Sequence, residues 1–357
     1  MVTLVLTNRN RDFRIVKKCL DSLLNQTNDA FELFFIDYGS DSEYVVALKV
    51  AIQAYPKIKL ILCPVNGQLW NKSRAINIAL KQTTTPYFLV GDVDLIFAPH
   101  FINTVYTLMN DQQVWYFQYG FLAQQESLLN KSFEDYTVDF KGSPEVTGTT
   151  LFPTSGIQSI NGFDEFYHGW GAEDTDMHVR MQLLGYAIKF YDSDCIIKHQ
   201  WHAKQYRNKK SKHPFHIGLE QINHEYLQLT KTTKRLIVNQ KQPWGLLAEE
   251  FLYQKLNNAT FDNSLQITNS VKKVNAVLSQ LHNFKDESIH LKIVSIGVKE
   301  RWKNKIKNRI ANRIYDELEL ESINSLILEQ IVQFHRNNPY HYTYDRKAKF
   351  IELKMIF

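Results

Sequence analysis

Four places in this chain hold acidic, basic or imidazole side chains at spacings that could do chemistry. In FLVGDVDLIF, Asp92 and Asp94 flank Val93 at the end of an apolar run. Alternate side chains of a strand share a face, so two carboxylates meet there. A hard divalent cation such as Mg2+ or Mn2+ takes oxygen ligands and would relieve their repulsion; one acid capping the next segment is the plainer reading of so short a motif. In IIKHQWHAKQ, His199 and His202 flank Trp201. A neutral imidazole there could complete a coordination sphere begun by Asp92 and Asp94, although surface histidines mostly bind nothing. NGQLWNKSRAINIAL begins at Asn66 and sets Lys72 and Arg74 at a helix start, where cationic groups beside N-terminal N–H groups suit a diphosphate. A solvated helix start with Ile76, Ile78 and Leu80 packing inward explains the helix but not the polar cluster. HGWGAEDTDMHVRM puts Glu173, Asp174 and Asp176 directly behind Gly169, Trp170 and Gly171. Acids at a helix N-terminus are accounted for by capping and the macrodipole. They leave unexplained the Gly-Trp-Gly run, which joins backbone freedom to a large flat surface. An aromatic beside a carboxylate can seat a sugar ring and act on its hydroxyl.

The elements that must position these groups follow from periodicity. Over the first hundred residues, β-rich runs (VTLVLT, FELFFIDY, IKLILC, YFLVGDVD) alternate with helical-period segments (FRIVKKCLDSLLNQ, EYVVALKVAIQAY, NKSRAINIALKQ). This alternation predicts right-handed βαβ units and a mainly parallel sheet flanked by helices. Ligands of such sheets lie beyond the carboxyl ends of the strands. Polar clusters fall there: Thr7, Asn8 and Arg9 after the first run, Asp37 to Asp41 after the second, Asp92 to Asp94 after the fourth. From about 100 to 205 the signals are less regular, with VWYFQYGFLA and EVTGTTLFP reading as strands and DTDMHVRMQLLGYAIKFY as a helix running into a strand. Beyond about 215 glycine becomes scarce and long helical patterns appear. The expected division is 1–235, comprising 1–100 and 101–235, followed by a mostly helical C-terminal extension over 236–357.

Composition excludes several classes. The 357 residues are 44% hydrophobic, and 42 basic against 37 acidic residues leave a net charge of +5, too small for a nucleic-acid footprint unless concentrated. Cys19, Cys63 and Cys195 are far apart, with neither a disulfide framework nor metal-ligand spacing, which fits a reducing, cytoplasmic setting. The N-terminus lacks the pattern of a signal peptide, and no apolar run approaches the ~20 residues of a membrane-spanning helix. In KERWKNKIKNRIANRIY (299–315), Trp302, Ile306, Ile310 and Ile314 recur every four residues among Lys and Arg. Such a stripe suits an anionic membrane surface or packing onto the chain's own domain.

Taken together, LTNRNR, FIDYGSDS, NKSRAINIAL and GDVD occur in an order that resembles family 2 glycosyltransferases of the GT-A fold. The segment GFDEFYHGWGAEDTDMHVRMQLLGYAI is similar to the catalytic part of the β-1,4-galactosyltransferases and bacterial chondroitin-type polymerases. The resemblance covers about residues 1–205. It implies a GT-A nucleotide-binding fold and a metal-dependent inverting transferase moving a galactose- or N-acetylgalactosamine-type sugar. The donor would be a UDP-sugar with Mn2+ or Mg2+, and the acceptor a glycan or lipid-linked saccharide in surface polysaccharide synthesis. On the same resemblance, Asp37 contacts the nucleoside and Arg74 lies near the nucleotide. Asp92, Asp94 and His199 hold the metal, with His202 as the substitute if the alignment shifts. Thr7, Asn8, Arg9, Asn66, Lys72 and Val93 complete the donor side. Trp170 and Gly171 meet sugar, Glu173 holds sugar hydroxyls, and Asp174 is the catalytic base. Two departures stand out. Ala172 replaces the second Gly of the usual W-G-G-E-D run, so the turn survives if that position does not need φ > 0, and Thr175 replaces a further acid. A metal-dependent phosphohydrolase or nucleotidyltransferase would use the same acids and histidines, and a non-catalytic carbohydrate-binding protein could retain the fold.

Overall fold

The computed structural model describes residues 1–203, 213–258, 260–297, 299, 301–303, 306, 307 and 316–357. Its first unit takes in Met1–Cys63, Asn71–Gln205 and Glu220–Leu247. Strands β1 (Val2–Asn8), β2 (Phe31–Tyr38), β3 (Ile58–Cys63) and β4 (Tyr87–Asp92) alternate with helices α1 (Phe13–Leu24), α2 (Ser42–Ile52) and α3 (Lys72–Gln82). Then follow β5 (Leu95–Phe97), α4 (Phe101–Leu108), β6 (Gln113–Phe117), β7 (Tyr119–Leu122), α5 (Gln124–Leu128), β8 (Val138–Lys141), β9 (Thr150–Pro153), α6 (Thr154–Ser159), α7 (Glu173–Leu183), β10 (Ala187–Tyr191), β11 (Ile197–His199) and α8 (Leu219–Thr233).

A seven-stranded sheet runs in the order β10-β6-β9-β4-β1-β2-β3. All its neighbours are parallel except β9, which is antiparallel to β4 and β6. The central strand β1 is buried throughout, as a strand covered on both faces must be. Its register sets Asn8 beside Asp37 and Thr7 beside Asp92, so three polar strand ends meet at one edge. The apolar run 114–123 is two strands in two sheets. β6 stays in the large sheet, whereas β7 joins β5, β11 and β8 in a four-stranded one. There His199 pairs with Leu95 on one side and Phe121 on the other, bringing it next to Asp94. Val2, Leu4, Leu6, Phe35, Leu89, Phe97 and Phe101 form part of the core.

The second unit takes in Pro64–Trp70, Tyr206–Leu219 and Ala248–Phe357. Beside helices Glu250–Asn258, Val271–Gln280 and Leu320–Gln330 it holds a sheet in the order β12 (Asn263–Thr268), β13 (Ser288–Val294), β15 (Phe350–Ile356), β14 (Tyr340–Asp345). The helical reading did not include this sheet. Ile289, Leu291 and Ile293 of β13, and Ile351, Leu353 and Met355 of β15, are buried at every second position, the period of a half-buried strand. Within this unit Tyr340 and Gly67 anchor the segment that contains exposed Asn66: the Leu69 N–H donates to Tyr340 Oη at 2.8 Å, and the Tyr342 N–H to the Gly67 carbonyl at 3.0 Å. Most of 299–315 lies outside the described residues; of that stripe, Trp302 and Ile306 are exposed. No helix among the described residues is long and apolar enough to cross a membrane.

Candidate active site

Helix α3 starts at Lys72 because the Asn71 side chain accepts the Arg74 N–H at 2.8 Å, the usual N-cap bond. That cap delivers Lys72 into a group of acids. Its Nζ lies 3.0 Å from Asp92 Oδ1, 3.1 Å from Asp174 Oδ2 and 4.0 Å from Glu173 Oε1. One ammonium thus faces three carboxylates. Burial alone would lower the Lys72 pKa, but Asp174, Asp92 and Glu173 outweigh it and hold the amine charged well above its ordinary range. Burial pushes the Asp174 carboxyl up; Lys72 pulls it back, and Glu173 and Asp92 push it further up. The net result is a carboxyl that keeps its proton well beyond the ordinary range, a property suited to a base working near neutral pH. Buried Tyr119, whose hydroxyl lies 2.7 Å from Thr149 Oγ1, adjoins this group and interacts with Lys72. Gly148 is required there, since a Cβ on it would lie 2.8 Å from the Tyr119 oxygen and 3.0 Å from Asp92 Oδ2.

Asp94 faces the other way from Asp92. Its Oδ2 lies 3.0 Å from His202 Nε2 and 3.1 Å from Arg11 Nη2, and its Oδ1 lies 3.7 Å from His199 Nε2. One ligand atom from each of Asp94, His199 and His202 falls within a 4.8 Å cluster. Burial opposes ionisation of Asp94, yet His199, Arg11 and His202 hold its carboxyl far below the usual range. Burial also lowers the His199 pKa against the pull of Asp94, leaving a neutral ring with a lone pair to offer. His202 Nδ1 lies 3.2 Å from the Ala203 carbonyl. A carboxylate oxygen and two imidazole nitrogens facing one another form a donor set that a divalent transition ion fits. The predicted set of Asp92, Asp94 and His199 is therefore brought together only in part. Asp92 is taken up by Lys72, and both histidines reach Asp94.

At the sheet edge, Asp37 accepts from Asn8 Nδ2 at 2.7 Å and from Ser40 Oγ at 2.7 Å. Burial raises its pKa against these bonds. Thr7 and Asn8 are buried, Arg9 is partly exposed, and buried Val93 belongs to the core. Arg74 is held through Nε by buried Glu165 at 2.8 Å, whose Oε1 also accepts from Asn77 at 3.0 Å and from the Gly245 N–H at 2.7 Å.

The turn before α7 is left-handed, with φ of +77° at Gly169, +100° at Gly171 and +74° at Ala172. The Gly-to-Ala departure thus falls on a position that does require positive φ. Trp170 is half-exposed and Glu173 buried. Asp176, read from the sequence as a helix-start charge, is fully buried. It pairs with equally buried Arg180 at 2.7 Å and accepts the Tyr167 hydroxyl at 3.0 Å, because this face of the helix turns into the protein. Asp174 and Asp176 are two positions apart and so lie on different faces.

Two family models cover this region: "Glycosyl transferase family 2" matches residues 3–141 and "N-terminal domain of galactosyltransferase" matches residues 128–204. Together they span residues 3–204, a glycosyltransferase region with a galactosyltransferase-like segment. The glycosyltransferase is similar to human chondroitin sulfate synthase 3, at 29% identity over 168 residues, or 43% of this chain. The chain spans only 18% of that relative's length. Similar solved structures include S. aureus TarS 1-349 in complex with UDP-GlcNAc, at 15% identity and a TM-score of 0.43, covering 57% of this chain and 59% of that one. Another is the catalytic domain of Drosophila beta1,4galactosyltransferase 7 in complex with xylobiose, at 16% identity and 0.40, covering 62% and 79%. The family assignment rests on the two models. Arg11, Tyr119, Gly148 and Glu165 of the glycosyltransferase carried no signal of their own in the sequence, because their partners here are 29 to 91 positions away along the chain.

Proposed function

We propose that this glycosyltransferase moves a galactose- or N-acetylgalactosamine-type sugar from a UDP-sugar to a hydroxyl of a glycan or lipid-linked saccharide, with inversion and with Mn2+ or Mg2+, in the assembly of a surface polysaccharide. The observation that carries this reading is the pairing of two groups beyond the carboxyl end of β4: Asp94 with His199 and His202 on one side, and Lys72 with Asp92 and Asp174 on the other. Asp94, His199 and His202 would hold the metal, which when bound supplies positive charge opposite a departing diphosphate. Lys72, charged over the whole working pH range, would add a second cation from the Asp92 and Asp174 side. Asp37, Asn8 and Ser40 form the polar strand-end cluster that would meet the nucleoside, with Thr7, Arg9 and Arg74 flanking it.

In this reading Asp174 takes the proton of the acceptor hydroxyl as that oxygen attacks the anomeric carbon. The bond to the diphosphate breaks as the new glycosidic bond forms, so an α-linked donor gives a β-linked product. Glu173 and Trp170 hold and face the sugar. The exposed pair Trp302 and Ile306, with the basic residues around them, would rest on an anionic membrane if the acceptor is lipid-linked. The test is transfer from UDP-galactose and UDP-N-acetylgalactosamine to p-nitrophenyl glycosides, with Mn2+ and with EDTA, and assignment of the product anomer by NMR. Release of phosphate or nucleotide into water with no sugar transferred would favour a hydrolase instead.

A further inference from the structure

Helix α8 lies beyond residues 3–204, where neither family model reaches, yet it is built onto the Trp170 turn. Asn223 is 1% exposed, and its Nδ2 donates to two carbonyls of that turn, His168 at 2.9 Å and Trp170 at 3.1 Å. One turn earlier stands Glu220, and four residues after Glu220, on its face of the helix, stands His224. A Cβ placed on Gly171 would lie 3.6 Å from His224 Nε2 and 3.7 Å from Glu220 Cγ. So a carboxylate, an amide and an imidazole at i, i+3 and i+4 border the same three residues that present the half-exposed Trp170 indole. His224 is exposed and Glu220 partly so, and neither is needed to bury the helix, whose packing is served by residues such as Leu219 and Leu227.

We infer that this face of α8 completes the acceptor side of the site: Glu220 and His224 hydrogen-bond hydroxyls of the acceptor pyranose stacked on Trp170, and Asn223 is a positioning residue that holds the Trp170 turn in place. A carboxylate accepts from two hydroxyls and a neutral imidazole both donates and accepts, the complement a hydroxyl-rich sugar presents. A turn with two glycines among its three left-handed residues has many conformations open to it, and the two Asn223 bonds select among them. The inference rests on the transferase reading above.

The full chain is assayed with UDP-N-acetylgalactosamine or UDP-galactose, Mn2+ and a panel of p-nitrophenyl β-glycosides, measuring KM for donor and acceptor separately. Glu220→Gln and His224→Ala should each raise the acceptor KM roughly three- to tenfold, the loss of one hydrogen bond, with the donor KM changing less than twofold. Asn223→Asp, which sets acceptors against two carbonyls, should act in the same direction. Glu225→Gln, an exposed position off this face, should leave the acceptor KM unchanged. An unchanged acceptor KM in both Glu220→Gln and His224→Ala overturns the inference, as does an equal rise in the donor KM, which would mark a general structural effect. A parent chain that transfers no sugar at all removes the transferase reading itself, a result distinct from either.

Discussion

Ala172 gives the sharpest physical prediction. Its φ of +74° and ψ of −17° put a Cβ in the left-handed region, where an L-residue loses about 1–2 kcal/mol relative to its ordinary conformations. Glycine has no such penalty, but Ala→Gly adds unfolded-chain entropy that offsets about 0.4–1 kcal/mol. Ala172 caps α7 through its backbone carbonyl, which accepts the Asp176 N–H at 2.8 Å, and no side-chain cap bond is lost. Ala172→Gly should therefore stabilise the protein by about 0.5–1 kcal/mol, a rise in melting temperature of roughly 1–4 °C for a unit of this size. Ala172→Val should destabilise it more than Ala172→Gly stabilises it, because a β-branched side chain tolerates this region worst. Thermal melts and urea titrations of the three chains measure both effects. A neutral or destabilising Ala172→Gly would refute the left-handed assignment of this turn.

Other consequences follow from the same geometry. Asp94→Ala, His199→Ala and His202→Ala should each raise the Mn2+ concentration for half-maximal transfer by at least about tenfold, whereas Asp92→Asn should act mainly on turnover; metal titrations of activity distinguish them. Asp176→Ala leaves the fully buried Arg180 without its partner and should lose about 3–5 kcal/mol in urea unfolding. Transfer should rise with pH along a limb above the usual carboxylate range, since Asp174 must ionise and its pKa is raised by burial. Lys72→Met should move that limb to still higher pH by removing the group that pulls the pKa down, a shift read from kcat/KM profiles. Asp174 binds its proton more tightly in the folded than in the unfolded chain, so stability falls as pH rises from about 3.9, the unfolded value, through the raised folded one. Asp174→Asn should flatten that fall.

The strand ends were legible because each predicted run formed its strand: β1 to β4 follow VTLVLT, FELFFIDY, IKLILC and YFLVGDVD, and parallel pairing then sets Asn8 by Asp37 and Thr7 by Asp92. The grouping of the acids was not. Nothing in D-x-D spacing says that Asp92 turns to Lys72 while Asp94 turns to two histidines, because the turn between β4 and β5 decides it. Asp176 and Arg180 have the spacing of a solvated surface pair, and only the packing of α7 makes them a buried one. The alternation of SIHLKIV and FIELKMI was present in the sequence but was outweighed by the helical patterns beside it. Asn223 donates to residues 53 and 55 positions earlier, a link no local pattern carries.

The central claim is that Asp174 is the base of a metal-dependent sugar transfer. Asp174→Asn keeps the shape and removes the basic oxygen, so it tests that claim with least disturbance to the donor side. The account predicts a transfer rate lower by about 10²–10⁴-fold, with Mn2+-dependent binding of UDP, measured by calorimetry, within a few-fold of the parent. Transfer by Asp174→Asn at a rate comparable to the parent's, with UDP bound equally well, would contradict it.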